Sequence, residues 1–370
     1  MPVVAPERLR RLAQEVLAAL GASAAAAACV ADGLVDASLV GLDSHGAIRI
    51  PQYVQAVRDG LVDPRAEPVL ERDGGGVLSV DGRRTFGQVV AGFAVEAVLA
   101  RLAQGSQSLV AVTAHHASHV GRLGAYVERL AARGYIGLAM VNNHGARPWA
   151  APFGGRERRL STNPIAFAAP RPGHPPLVVD LTTSATAEGK VRLLRNRGES
   201  APEGWLIDAA GRPTRDPADL YGPPPGALLP LGGMTLGHKG FGLSLMVEVL
   251  AGALSGAGCT REGAEWPGNG FFCLGLDPAG FQAASAVEAA LEGLIRDVKD
   301  TPLAEGFTEI LVPGEPEART RARRTAEGIP LDEETWRQIV AAARQCGVAV
   351  DEGGPSSPGS GRTTEPTRGR

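Results

Sequence analysis

SLVAVTA at residues 108 to 114 and YIGLAMVNN at residues 135 to 143 are two short apolar runs. Runs of this length with few polar alternates read as strands covered on both faces. Between them, HVGRLGAYVERLAARG, 119 to 134, has apolar residues at helical spacing and stops at Gly134, where glycine can close a helix in the left-handed conformation. Strand, helix and strand in that order predict a βαβ unit, and with it a chain of the α/β class.

Other segments fill in around this unit. Residues 6 to 40 read as two helices broken at Gly21, with Ser23 as N-cap of the second. Further helices are expected over 51 to 60, 87 to 103, 283 to 299 and 331 to 347, and strands over 177 to 182 and 271 to 278. VLSVDGRRTFG, 77 to 87, has two short runs around Asp81-Gly82, a hairpin signal. The stretch 237 to 258 contains a helix apolar on nearly every face, which predicts burial. Residues 198 to 232, rich in Gly and Pro, read as an ordered excursion, and the tail from Gly353 is too poor in apolar residues to order.

The chain lacks a GxGxxG after a strand, so a dinucleotide site would have to be built without the usual glycine fingerprint. TSATAEGK, 183 to 190, ends like a phosphate loop but lacks the first Gly and the following Ser or Thr. A net charge of -3 gives no basic surplus for nucleic acid or an anionic membrane. No apolar run approaches the length of a membrane span. Glu15 and Gln14 interrupt the Ala-rich start, which suits an amphipathic helix better than a secretion signal. The four cysteines are far apart and form no CxxC pair, which favours a reducing, cytoplasmic setting. Lysine occurs only at positions 190, 239 and 299 among 37 basic residues. A retained lysine can mark a place where a broad guanidinium does not fit.

Two polar clusters carry the chemistry. DSHGAIRIPQY, 43 to 53, sets His45, Arg49 and Tyr53 four apart, beside Ser44. On a helix they would share one face. Pro51 makes a polar turn leading into a helix equally consistent. Arginine can hold a carboxylate bidentately, and histidine can move a proton near neutrality, so the cluster suits a small carboxylate substrate. The plainer reading has Asp43 or Ser44 capping a helix and Arg49 pairing with a carboxylate. HHASH, 115 to 119, also has two readings. His115 and His119 on a helix would make an i, i+4 metal pair, as in a metal-dependent hydrolase. Alternatively His119 is an acid/base group at a strand-to-helix junction. Strand up to residue 114 makes 115 to 118 a loop, and no nearby acid completes a ligand set, so the expectation is no metal.

Eight blocks then occur in order: DSHGAIRIPQYVQAVRDG, HHASHVGRLGAYVE, STNPIAFAAP, VVDLTTSATAEGK, GWLIDAAGRPTRDP, LLPLGG, GHKGFGLSLMVEVLAGALSGAG and ILVPGEPE. Over about residues 5 to 350 the chain resembles the malate/L-lactate dehydrogenase type 2 family of NAD(P)-dependent oxidoreductases. GRLG and APFGG are similar in particular to its hydroxycarboxylate dehydrogenase B branch. Ala117-Ser118, where many members carry other residues, departs from the pattern.

The resemblance implies an L-sulfolactate dehydrogenase-like α/β fold: a large mixed β-sheet that is not a Rossmann domain, with a helical region made by the two ends of the chain. It implies a helical region over 1–75 packed with 318–352, an NAD(P)-binding and catalytic domain over 76–317, and a tail over 353–370. It implies a homodimer, and a small 2-hydroxy acid interconverted with its 2-oxo acid using NAD or NADP, NAD being slightly favoured. A cyclic-imine reductase on the same scaffold is the alternative. By resemblance His45, His119 and Asp180 are catalytic. Ser44, Arg49 and Tyr53 bind substrate. Asn143, Asp180, Leu181, Thr182, Lys239, Pro313, Gly314 and Glu315 contact the cofactor.

Overall fold

The structure is a computed structural model and describes residues 2–145, 148–261, 263 and 266–350. The expected disorder beyond Gly353 falls outside these residues.

At the start of the chain, helices α1 (Pro6–Ala19) and α2 (Ala24–Leu39) form as their spacing predicts. Leu9, Leu12, Val16 and Leu17 make the buried stripe of α1, and the Ser23 hydroxyl accepts the Ala26 N–H at 3.2 Å to cap α2. Helix α3 (Ile50–Arg58) starts with Pro51 in its first turn, where no amide is needed. Ahead of it, two short 3₁₀ turns cover Asp43–His45 and Ala47–Arg49. Of the two readings of this stretch, the polar turn leading into a helix is the one observed.

The centre is a seven-stranded mixed sheet. Its strands are β1 (Val69–Gly74), β2 (Val77–Asp81), β3 (Leu109–Ala117), β4 (Ile136–His144), β5 (Ile165–Ala169), β6 (Leu177–Leu181) and β7 (Gly268–Leu276), in the order β1-β2-β3-β7-β4-β5-β6. Only β2 and β3 pair in parallel; every other neighbouring pair is antiparallel.

Three expectations change here. The βαβ unit exists as β3, helix α5 and β4, but its strands do not touch: β7 lies between them, antiparallel to both. Helix α5 itself is short, Gly124–Ala131, and residues 119 to 123 form its approach. Lastly, Asp81-Gly82 is not a hairpin tip. The β1–β2 hairpin turns earlier, and after Asp81 the chain passes through left-handed Arg83 and Arg84 into α4 (Gly87–Leu102). The first and last of these depend on long-range pairing, which local spacing does not encode; α5 starts late after left-handed Gly121.

Alternation along the strands builds two cores. Ala139, Val141, Phe271 and Cys273 point towards α4 and α5. Leu138, Met140, Phe272 and Leu274 point the other way, onto Val247 and Ala251. A separate apolar cluster joins both ends of the chain: Leu9, Val16, Leu34, Tyr53 and Phe86 meet Ile329, Ile339 and Ala343. The excursion between 198 and 232 is ordered, through a three-stranded sheet over Leu206–Ile207, Pro213–Thr214 and Ala227–Leu228. It comes directly after α6 (Glu188–Arg197).

The apolar helix is α7 (Gly233–Val247), continued by a π-helical turn over Glu248–Ala253. The expectation of full burial fails within one chain. Its inner stripe is small, Gly233, Gly237, Gly240 and Ser244, which lets it lie close to the body. Its outer stripe stays exposed: Met234 at 50 %, Val249 at 58 % and Leu254 at 61 %. Three further helices, α8 (Ala284–Lys299), α9 (Glu315–Glu327) and α10 (Glu333–Gln345), complete the chain. Among the described residues no helix is long and apolar enough to cross a membrane.

Candidate active site

A cavity of about 440 Å³ opens where the 3₁₀ turns and α3 face the ends of β4 and β7, the 118–121 approach and the first turn of α6. Ser44, His45, Arg49, Tyr53, His119 and Asn143 all line it. The two polar clusters, about seventy residues apart in sequence, therefore converge. The His45 and His119 rings stack at 5.4 Å between centroids, 27° from parallel.

Each group is held from behind. The Ser44 hydroxyl and His45 Nδ1 share a hydrogen bond at 2.9 Å. Tyr53, only 4 % exposed, has its hydroxyl 2.8 Å from His119 Nδ1, and the Gln88 amide donates to that hydroxyl at 2.6 Å. Gln88 lies on α4 and its side-chain Oε1 has no hydrogen-bond partner. Sequence reading missed Gln88; nothing local marks an amide inside an apolar helix as a member of a site on another element. Two close packings involve glycine, and the one at Gly46 is the tighter. A Cβ on Gly46 would lie 2.1 Å from the Ser38 hydroxyl on α2, and one on Gly189 would lie 3.1 Å from Ser44 Cβ.

Arg49, half-buried, differs from Arg122 and Arg324, each of which has a carboxylate partner. Arg122 meets Asp36 and Glu128, and Arg324 of α9 meets Asp43 at 2.6 Å. Arg49 instead donates from Nε to the Ser44 carbonyl at 2.6 Å and from Nη1 to the Gln52 side chain at 2.5 Å. Among the described residues no carboxylate lies within ion-pair distance of it. The plainer reading of DSHGAIRIPQY thus fails on both counts: Asp43 and Ser44 cap no helix, and Arg49 has no acid. Glu188 is in the cavity wall, but its carboxylate is taken by the Tyr221 hydroxyl at 2.8 Å.

The electrostatics follow from this free charge and from burial. Loss of water holds the His45 imidazolium down, to about 4, and the Arg49 charge pushes the same way. His119 is pushed well below its usual range by burial, by Arg49 and by His45. Burial lifts the Tyr53 phenol to about 12, so it stays protonated and able to donate. Near neutral pH both imidazoles are uncharged, each with one nitrogen free to accept and one able to donate.

The remaining expected residues lie elsewhere. Asp180, at the end of β6, accepts the Gly124 N–H at 2.8 Å, and burial raises its carboxyl. Thr182 donates to the Ser184 carbonyl, and Leu181 is exposed. Lys239 is exposed on α7. The Pro313 carbonyl accepts from Val178, and Glu315 pairs with Lys299. Gly314 lines a second cavity of about 610 Å³ with Arg171, His174 and Arg321. Asn143 is the only expected cofactor residue in the histidine cavity.

HHASH divides. Residues 115 to 117 are strand, not loop or helix, so His115 and His119 cannot form an i, i+4 pair. His119 enters the cavity, whereas His115 and His116 turn towards Asp81 and Glu71.

The family profile described as malate/L-lactate dehydrogenase matches residues 4–340. The L-lactate dehydrogenase of Cupriavidus necator is 39 % identical over 345 residues, covering 92 % of this chain and 97 % of that protein. A solved structure described as a putative malate/lactate dehydrogenase from E. coli superposes with a TM-score of 0.88 at 35 % identity, covering 94 % of this chain and 96 % of that one. Sulfolactate dehydrogenase from Methanocaldococcus jannaschii superposes with a TM-score of 0.84 at 31 % identity, covering 94 % and 98 %.

Proposed function

The chain belongs to the malate/L-lactate dehydrogenase family and is an oxidoreductase of 2-hydroxy acids, and we propose that it interconverts a small 2-hydroxy acid and its 2-oxo acid in the cavity around Arg49. The observation that carries this reading is the Arg49 guanidinium, which faces the cavity without a carboxylate of its own. A substrate carboxylate supplies the missing partner through paired, charge-assisted hydrogen bonds.

The family implies a nicotinamide cofactor, and the cavity suits one. Its volume lies within the range of about 300–1,000 Å³ typical of ligand sites. Val120, Val141 and Pro164 offer an apolar wall for a ring, and Asn143 and Thr162 offer amide and hydroxyl groups for a carboxamide. When bound, the dinucleotide gives or takes the hydride at the substrate C2. NAD is slightly favoured over NADP in this reading; of the α6 arginines Arg192, Arg195 and Arg197 that could meet a 2′-phosphate, Arg195 is stacked 4.0 Å above the Tyr221 ring. Asp180, Leu181, Thr182, Lys239, Pro313, Gly314 and Glu315 remain in this reading as cofactor residues outside the histidine cavity, with Gly314 in the second cavity supporting a cofactor that extends beyond the first.

In this reading His119 moves the proton. With Nδ1–H donating to Tyr53, Nε2 is bare and takes the proton of the alcohol as hydride leaves, giving a transient imidazolium; in the reverse direction that imidazolium returns the proton from Nε2 to the forming alkoxide and is left neutral. Gln88 supports this arrangement, because turning its amide presents the unpartnered oxygen to the Tyr53 O–H. His45 stacks beside the reacting group, steadied by Ser44. General acid/base help of this kind is worth about 10²–10⁴ in rate.

The chain works as a cytoplasmic homodimer in the same reading. Support for pairing comes from Met234, Leu236, Leu245, Val249 and Leu254, large apolar side chains left exposed on α7 and the turn after it. Support for the compartment comes from four cysteines that are all free. The apolar cluster joining both chain ends supports a helical region over 1–75 with 318–352, apart from a catalytic domain over 76–317.

The test is oxidation of NADH and NADPH, in parallel, with a panel of 2-oxo acids and one cyclic imino acid. Turnover with an oxo acid is expected. Turnover with the imine alone would move the chain to imine reduction, and none with any compound would sink the proposal.

A further inference from the structure

His115 and His116 remain unexplained by the cavity. They sit in a β-bulge: along β7, Asn269 pairs with Ala117 and Phe271 with Ala114, so both histidines oppose the single Gly270. His116 adopts φ +50°, a left-handed conformation that side chains seldom accept. Bulges of this kind re-aim side chains, and here both rings turn towards the β1–β2 hairpin. His116 Nδ1 lies 2.9 Å from Asp81 Oδ1, His115 Nε2 lies 3.9 Å from the same oxygen, and Glu71 Oε2 is 3.7 Å from His115 Nε2.

Hydrogen bonding accounts for His116 but not for His115. Its Nε2 is beyond hydrogen-bond reach of both carboxylates, and its Nδ1 is buried without a partner. One donor atom each from Asp81, His115 and His116 lies within 4.8 Å of the others. Around a tetrahedral ion with bonds of about 2.0–2.1 Å, ligand atoms sit about 3.3 Å apart. The separations of 2.9 and 3.9 Å bracket that value. The cations alongside do not fill the gap: the Arg84 guanidinium lies over the Trp266 ring at 5.7 Å, and Arg83 approaches Asp81 through its backbone N–H.

We propose that His115, His116 and Asp81 bind one divalent first-row transition ion of the zinc, cobalt and nickel class, with Glu71 placed to join them. Two imidazoles and carboxylate oxygens suit these ions, while magnesium and calcium prefer all-oxygen sets. The ligands come from three strands, β1, β2 and β3, and the third runs on through Ser118 to His119. The ion would therefore pin the edge hairpin to the strand that delivers the cavity histidine. This site stands on its own residues and does not depend on the reaction proposed above.

The test uses the whole chain without a histidine tag, stripped with a chelator and titrated with Co²⁺ while its visible absorption is followed, then with Zn²⁺ as competitor. One equivalent of Co²⁺ should give a saturable absorption band that Zn²⁺ removes. Asp81→Asn and His116→Ala should each weaken binding by at least about tenfold, and Zn²⁺ should raise Tm in the wild type but not in His115→Ala/His116→Ala. Asp81 also accepts the Arg83 N–H, so if Asp81→Asn fails to fold, His116→Gln at an exposed position carries the same comparison. No saturable band, or equal affinity in the histidine variants, would overturn the proposal.

Discussion

In the proposed reading, His119 depends on a hydrogen bond it does not make to substrate. Tyr53 fixes which imidazole nitrogen faces the cavity, and Gln88 fixes Tyr53. Tyr53→Phe keeps the ring and its packing but leaves His119 Nδ1 unmatched. Leaving such a group unpaired costs about 1–3 kcal/mol, so kcat should fall roughly ten- to hundredfold while the protein remains folded. A kcat unchanged across the pH range would remove Tyr53 from the proton path. His45 makes a second prediction. Its imidazole titrates near 4 in the fold against 6.5 ordinarily, so between these values the unfolded chain binds a proton that the native chain refuses. The stability contributed by neutral His45 is complete above pH 6.5 and is lost as pH falls towards 4. The shift corresponds to about 3 kcal/mol at most. Denaturant titrations from pH 7 to 4 should show wild type losing more stability than His45→Asn; parallel curves would contradict the assignment.

At the scale of elements, some sequence signals suffice and others do not. Helix caps, strand alternation and the clustering of His45, Arg49 and Tyr53 are legible, because each rests on neighbours within one or two turns. The hairpin signal at Asp81-Gly82 misleads because a turn motif does not encode the element beyond it; here the chain is recruited into α4 instead of returning as a strand. HHASH misleads because a bulge is created by the partner strand, and because Asp81 and Glu71 reach it only through sheet pairing. Gln88 is invisible for the same reason. On α7 the apolar periodicity is right, but it does not reveal whose surface covers the outer stripe. If a second copy does, Val249→Arg places a charge in that interface, and size-exclusion chromatography with light scattering should show a shift from dimer to monomer. A variant that remains dimeric would put the interface elsewhere. Gly46 makes a smaller claim at the turn: with Ser38 Oγ 2.1 Å from where a Cβ would stand, Gly46→Ala should displace the 3₁₀ turns and cost more activity than stability, as compared by kcat/KM and Tm.

For the molecule as a whole, the sheet and the end-to-end helical cluster meet around the cavity. The segment carrying Arg49 packs with the helical cluster through Ala47, Ile50 and Tyr53, while His119 lies just beyond a strand of the sheet. The architecture thereby places a positive charge beside two neutral imidazoles, and under the proposed function this arrangement selects for substrates with a carboxylate next to the reacting carbon. The most direct test is the ratio of kcat/KM for a 2-oxo acid to that for the matching ketone without the carboxylate, measured in wild type and in Arg49→Ala. Two charge-assisted hydrogen bonds are worth about 3–6 kcal/mol together, so wild type should prefer the acid by roughly 10²–10⁴ and Arg49→Ala should lose most of that preference, with the ketone rate little changed. An equal preference in both proteins would mean that the carboxylate is held by another residue and that the site has been assigned to the wrong charge.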